Sequence, residues 1–371
     1  MKILVCPDSF KGSLSSFEAA NAIKDGLLKV NPDLEIITLP LADGGEGTGD
    51  CLKEAVGGEY KEVQTENIFF EKMTGDFLSL SDGSAFVETA TAGGILTVEK
   101  ERLNPLKAST YGTGLLIKNA IDNGAKSVVV GLGGSATNDG GMGALNALGV
   151  DFLDENGAAV KPTGENMIKV RSVSLRDEFE RYKKVKFTLA CDVENPFYGE
   201  NGAAYVFASQ KGASEKETEM LDRGLKNLEG VYENYTHKNI QSVKGTGAAG
   251  GLCGGPFAFF DCVIKSGFEL LSEKSRLEEK INSVDLVITG EGKTDFQTFF
   301  GKLPFKVSFF AKAKNKRCIL ISGDISPDAN TREMGFEKAY KIMDETITIE
   351  NAMKNAYNLL VEKAKSIEVE G

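Results

Sequence analysis

The run Gly131-Leu132-Gly133-Gly134-Ser135-Ala136-Thr137-Asn138-Asp139-Gly140-Gly141 constrains this chain more than any other stretch. It lies between an apolar, strand-like segment at 127–130 and a helix-like one at 143–148. Strand, glycine-rich turn and helix in that order are the repeating unit of an α/β fold. Such a turn also presents unblocked N–H groups at a positive helix end, which is what an anion such as phosphate requires. Asp139 complicates that picture, because a carboxylate beside a phosphate repels it unless a metal ion or a proton stands between them. The chemistry suggested is phosphate with a divalent cation, and a tight strand-to-helix turn with no ligand is the alternative.

The same alternation opens the chain. Residues 2–6 read as a strand and Pro7-Asp8-Ser9-Phe10-Lys11-Gly12-Ser13 as a loop. In the helix that follows, Ser15 and Glu18 have capping-box spacing, and Ala19, Ala20, Ile23 and Leu27 share a face until Asn31-Pro32. A second strand at 34–39 runs through Asp43-Gly44-Gly45-Glu46 into a helix at 49–56. Open α/β sheets gather ligands at loops after strands, so Asp8, Lys11, Asp43 and Glu46 are candidates for one crevice. From 59 to 91 the texture changes to short apolar pieces at 60–65, 77–80 and 85–88, divided by turn residues, which predicts antiparallel pairing. A helix at 112–121 precedes the opening motif. A strand at 185–189 then exits into Cys191-Asp192-Val193-Glu194-Asn195-Pro196, and 215–234 is charged and helical. Gly245-Thr246-Gly247-Ala248-Ala249-Gly250 satisfies G-x-G-x-x-G with no strand before it, and reads as a glycine-rich helix start or hinge. Alternation resumes with a strand at 284–289 followed by Gly290-Glu291-Gly292-Lys293-Thr294-Asp295, a helix opened by Gly301-Lys302, and a strand at 318–321 ending in Ser322-Gly323-Asp324. Residues 1–75 and 285–371 are therefore expected to form one α/β domain, with 76–284 as a second α/β domain inserted into it.

Composition removes several classes of function. A formal net charge of −11 with no cluster of lysine and arginine argues against nucleic acid and anionic membranes. The six cysteines form no Cys-x-x-Cys pair, so neither a zinc knuckle nor a disulfide framework is expected, and the pattern suits a reducing cytoplasm. The first apolar run is too short for a signal peptide, and no run reaches a membrane-spanning length. His237 is the single histidine and sits in a polar segment, which disfavours Ser-His-Asp and His-metal mechanisms. Chemistry must then run on carboxylates, lysines, hydroxyls and backbone amides. There is no G-x-x-x-x-G-K-[ST] loop and no His-Arg-Asp catalytic loop. One rival stands: G-x-G-x-x-A at 131–136, a helix, and Asp151 about twenty residues on imitate the dinucleotide site of an oxidoreductase. Aspartates at loop positions (Asp8, Asp43, Asp139, Asp192 and Asp295) suit Mg²⁺ and phosphoryl transfer better than hydride transfer.

Several of these loops occur together and in order. Pro7-Asp8-Ser9-Phe10-Lys11-Gly12-Ser13-Leu14-Ser15, Ala42-Asp43-Gly44-Gly45-Glu46-Gly47-Thr48, the glycine run ending in Asn138-Asp139-Gly140-Gly141, Cys191-Asp192-Val193 with Asn195-Pro196, Gln210-Lys211-Gly212-Ala213 and Ile288-Thr289-Gly290-Glu291-Gly292 resemble the bacterial glycerate kinases over nearly the whole chain. The resemblance implies a two-domain fold: a three-layer α/β/α domain formed by both chain ends, with a second α/β domain inserted. It also implies phosphorylation of D-glycerate at the 2-hydroxyl by direct in-line transfer, dependent on ATP and Mg²⁺. On that expectation Gly133, Gly134, Ser135 and Thr137, together with Lys11 or Lys211, hold nucleotide phosphates, Lys11 being also a candidate for assisting the transfer, and Glu291 and Asp295 hold the metal. On their loop positions alone, Asp192 first, and Asp8 second, would orient the hydroxyl and accept its proton. Asp43, Glu46, Asn138, Asp139, Asn195, Lys293 and Lys302 would meet the substrate. The partner is a small molecule, and the protein is expected as a monomer or homodimer. Lys293 replaces the family's usual arginine and Phe296 a usual glycine, so a bidentate fork becomes a point charge. A binding protein of the same fold that has lost turnover, and a nucleotide-dependent oxidoreductase, are the other readings.

Overall fold

Local rules account for many of the elements. Ser15 Oγ accepts the Glu18 N–H at 3.2 Å while Glu18 Oε2 accepts the Ser15 N–H at 2.8 Å, which completes a capping box for the helix Ser16–Val30. Ala19, Ala20, Ile23 and Leu27 of that helix are buried, as their spacing requires. The structure, a computed structural model, describes residues 1–42, 47–344 and 347–369. Asp43 and Glu46 lie outside the described residues.

The chain divides into two compact units, one of Met1–Val56 with Phe268–Gly371, the other of Gly57–Gly267. Residue 75, where the change of texture suggested a boundary, lies inside a strand of the second unit. In the first unit five parallel strands stand in the order Lys338–Lys341, Arg317–Ile325, Leu286–Thr294, Lys2–Val5, Glu35–Thr38. Helix Ser16–Val30 packs closely on Ala356–Lys365: a Cβ on Gly26 would stand 2.4 Å from the Val361 carbonyl oxygen, so only glycine fits there.

One expectation for this unit changes. The sequence ends the strand at 289 and places the glycines after it in a loop, but Leu286–Thr294 pairs with Arg317–Ile325 as far as Thr294. Glycine punctuates turns, yet inside a strand it also permits close backbone approach. Here a Cβ on Gly290 would lie 2.3 Å from the Ile321 oxygen, and one on Gly323 would lie 2.3 Å from the Gly292 oxygen. Glu291 is therefore held on a rigid strand.

In the second unit six strands stand in the order Asp261–Lys265, Lys186–Ala190, Ser127–Gly131, Ser84–Glu88, Lys72–Leu80, Gly58–Glu66. The first four pair in parallel, and the last two pairings are antiparallel, as the short pieces at 60–88 predicted. A two-stranded antiparallel pair, Val150–Leu153 with Ser172–Leu175, lies apart from that sheet. The core joins Val128, Val130, Phe187 and Leu189 of the sheet to Leu221, Leu225 and Tyr232 of the long helix Glu215–Thr236.

Candidate functional site

The first unit carries a cavity of about 550 Å³ at the ends of its parallel strands, where α/β sheets place ligands. The turn after Lys2–Val5 forms one wall. The Asp8 N–H donates to the Gly290 oxygen at 2.9 Å, and the Phe10 N–H donates to the Leu14 oxygen at 2.9 Å, which presents Asp8, Ser9, Lys11 and Ser13 to the cavity. Asp8 is 8% exposed, and its Oδ1 accepts the Ser9 N–H at 2.7 Å. The strand end supplies Glu291, Lys293 and Asp295, the neighbouring strand supplies Asp324, and Lys302 stands at the start of the helix Leu303–Ala313. Six expected site residues thus share this one cavity: Asp8, Lys11, Glu291, Lys293, Asp295 and Lys302. Asp324, read from the sequence as a strand end but given no role in the site, joins them, and its carboxylate pairs with Lys341 at 2.6 Å.

Glu291 and Asp295 were expected to hold Mg²⁺, but as placed they hold an ammonium. Lys302 Nζ donates to Asp295 Oδ1 at 3.1 Å and lies 3.8 Å from Glu291 Oε2. Glu291 Oε1 accepts the hydroxyls of Thr294 at 3.0 Å and Thr298 at 2.8 Å. Burial raises the Glu291 pKa above the ordinary carboxylate value, against those hydroxyls and the Lys302 charge. At Asp295 slight burial pulls the pKa upward, but Lys302 and the backbone amides of Gln297 and Thr298 outweigh it and leave the carboxyl below its usual value. One oxygen of each carboxylate is thus engaged by protein donors, and as placed the pair does not by itself form a closed magnesium cage. Among the described residues no group of three or more His, Cys, Asp or Glu side chains is placed to hold a metal ion.

The glycine run lies in the second unit. After the strand Ser127–Gly131 the chain turns through left-handed Gly134, Gly140 and Gly141, with φ of 68°, 64° and 78°. The N–H of Ala136 donates to the Gly93 oxygen and that of Gly140 to the Gly250 oxygen, while Ser135 Oγ and Thr137 Oγ1 lie 2.9 Å apart. Among the described residues, the amides of Gly133, Gly134 and Ser135 donate to no acceptor. The glycine-rich segment near Gly250 proves to be the packing partner of this turn, since a Cβ on Gly250 would lie 2.1 Å from the Thr137 oxygen.

Asp139 and Lys211 are placed differently from expectation. Asp139 is fully buried, and its carboxylate accepts the N–H groups of Thr110 at 2.7 Å, Gly141 at 3.0 Å and Gly143 at 3.1 Å, with the Thr110 hydroxyl at 2.9 Å. The anion at the start of the helix Met142–Ala147 is therefore the protein's own carboxylate, which also ties down the start of the helix Tyr111–Asp122. Burial raises the Asp139 pKa while these hydrogen bonds oppose the rise. Lys211 is 2% exposed and donates from Nζ to the Thr137 oxygen at 2.7 Å. Asn138 is buried as well, and among the described residues neither its side-chain amide nitrogen nor its side-chain oxygen has a hydrogen-bond partner. Asp192 and Asn195 follow the strand Lys186–Ala190: Asp192 accepts the Gly267 N–H at 3.1 Å, and Asn195 Nδ2 donates to the Asn201 oxygen at 2.8 Å. Asp151, the acidic residue of the dinucleotide rival, pairs with Arg176 at 3.6 Å and with Asn146 Nδ2 at 3.1 Å.

Burial pushes the Lys211 pKa down from 10.5 to about 7, with Asp139 pulling the other way. Between those two values the unfolded chain holds a proton that the folded chain has released, so stability rises with pH there. The rise approaches roughly 1.4 kcal/mol per pH unit while the proton difference is complete. Lys211→Met should flatten it, and urea unfolding of both proteins at about pH 7 and about pH 9.5 measures the difference.

Comparison with known proteins fits this architecture. The model of the "Glycerate kinase family" matches residues 3–369. A protein named glycerate kinase from Halalkalibacterium halodurans is 38% identical, with 99% of this chain and 97% of that protein covered. One named glycerate 2-kinase from Escherichia coli K12 is 36% identical over the same shares. A crystal structure of a candidate glycerate kinase 2 from Salmonella typhimurium LT2 superposes with a TM-score of 0.89 at 36% identity, covering 98% of this chain and 96% of that one. Sequence relatives and backbone agree over nearly the full length, and the chain belongs to the glycerate kinase family.

Proposed function

We propose that this protein transfers the terminal phosphoryl group of ATP to the 2-hydroxyl of D-glycerate. The observation that carries the reading is the cavity of the first unit, where Lys11, Lys293 and Lys302 stand beside Asp8 at the ends of parallel strands. Phosphoryl transfer asks a protein for positioning and for positive charge around the moving group, and lysines supply both. The hydroxyl oxygen attacks the terminal phosphorus as the bond to the ADP oxygen breaks, and the hydroxyl proton passes to the Asp8 carboxylate. Asp8 is the better placed of the two expected bases, since it lines the cavity and is largely buried there. Asp192 remains the other candidate.

Lys302 bridges Glu291 and Asp295, so we read Mg²⁺ as travelling on the nucleotide phosphates, which is its usual mode of binding. Bound in that way the ion would neutralise phosphate charge, while the residues here would orient the acid and take its proton. The open amides of Gly133, Gly134 and Ser135 are proposed as anion contacts in the second unit. All six cysteines are free thiols, which supports work in the reducing cytoplasm.

The purified protein with ATP, Mg²⁺ and D-glycerate should release ADP in a coupled assay, and phosphorus NMR should show phosphate on the 2-oxygen. Release of ADP that does not depend on D-glycerate, or NAD(H) binding with no release, would overturn the reading. Phosphate on the 3-oxygen would overturn the regiochemistry alone.

A further inference from the structure

The cavity of the first unit is far larger than a three-carbon acid requires. At about 550 Å³ it falls within the ~300–1,000 Å³ range of sites that enclose drug-sized ligands. Its lining also divides by chemistry. The charged part holds Lys11, Lys293 and Lys302 with their carboxylates, and the remainder is largely apolar.

Besides Phe10 of the polar turn, the apolar part comes from two places. Ile342 and Met343 follow the strand Lys338–Lys341, and their N–H groups donate to the oxygens of Ser322 and Gly323 at 2.9 Å, which fixes them at the sheet end. The rest is a stripe, Ile349, Ala352 and Met353 of the helix Ile349–Lys354 with Ala356 at the start of the next helix, in the i, i+3, i+4, i+7 spacing that ordinarily packs into a core. Here it does not. Ile349 is 68% exposed and Met353 is 43% exposed, and both line the cavity. Met353 also reaches the polar turn, because a Cβ on Gly12 would come within 2.8 Å of its Cε. Apolar stripe and cavity-lining lysines are thus continuous parts of one cavity.

We propose that this apolar part receives the purine base of the nucleotide donor, with the phosphate chain running toward Lys11, Lys293 and Lys302. The inference rests on the kinase reading and assigns the donor's base to the first unit rather than to the glycine turn of the second. A flat heterocycle on one end and a polyanion on the other match the two halves of the lining, whereas glycerate is polar throughout and offers the stripe nothing to bury. Methionine side chains adapt their shape to a flat ring and make favourable contacts with aromatic groups. Exposed apolar side chains that share a concave lining with converging charges mark a ligand site.

Irradiation of the full-length protein with 8-azido-ATP, followed by peptide mapping, tests the placement directly. Label is expected within residues 342–356, competed by excess ATP and not by D-glycerate. Label in residues 131–142, or no label that ATP competes, overturns the proposal. Met353→Glu, checked for an unchanged melting temperature, should weaken ATP binding about tenfold in calorimetry and raise KM for ATP by a similar factor. KM for D-glycerate should stay within about twofold. A rise in the D-glycerate KM instead would overturn the proposal by giving the stripe to the acid. Correctly placed and competed label in a protein that shows no glycerate-dependent ADP release would sink the kinase reading and leave the base site standing.

Discussion

Asp8→Asn is expected to lower kcat by about 10²–10⁴-fold while the melting temperature stays close to that of the parent, the range typical for loss of a general base. Asparagine keeps the size of the side chain and can still accept the Ser9 N–H, so the turn around Asp8 retains its shape. What it loses is the ability to take the hydroxyl proton. The paired variant Asp192→Asn separates the two candidates. Asp192 is exposed and accepts the Gly267 N–H, a contact the amide oxygen of asparagine can preserve. If Asp192→Asn abolishes turnover and Asp8→Asn keeps it, the base assignment is reversed. Steady-state kinetics by ADP release, with D-glycerate and ATP varied separately, decides the matter.

Asp139→Ala is expected to cost about 3–5 kcal/mol of stability, the range for breaking a buried charged contact by removing one partner. Three backbone N–H groups and the Thr110 hydroxyl would lose their acceptor inside the protein. Lys211 would also lose the carboxylate that partly offsets the burial of its charge. The measurement is the urea midpoint, with the denaturant slope checked for a change in two-state behaviour. A contact residue for substrate would behave in the opposite way, with turnover lost and stability kept. That outcome would restore the role its place in the glycine run first suggested and remove the anchoring role that its hydrogen bonds imply.

Asp139 and Lys211 show where sequence reading stops. Both occupy positions that look like ligand contacts, a carboxylate after a glycine turn and a lysine before a glycine, and both are buried in the folded chain. Residue type and spacing report which groups can meet an anion. They do not report which groups face solvent, because that depends on segments distant in sequence: the Lys211 hydrogen bond to Thr137 spans 74 residues. Ile349 and Met353, to which the sequence reading gave no role, have the i, i+4 spacing of a core face, yet their side chains line a cavity.

The sequence by itself determined the local elements. The capping box at Ser15, the apolar face of the helix it starts, the antiparallel texture of the short strands after residue 58 and the α/β class all follow from rules that act over a few residues, where periodicity and hydrogen-bond capacity suffice. Only the tertiary structure decided that Glu291 sits within a paired strand, that Lys302 stands between two carboxylates expected to hold a metal, and that Asp139 serves as an internal anchor. The physical reason is the same in each case. Burial and charge pairing are properties of surfaces that fold brings together, and two glycines that locally signal a turn can, opposite the right neighbour, let a strand continue.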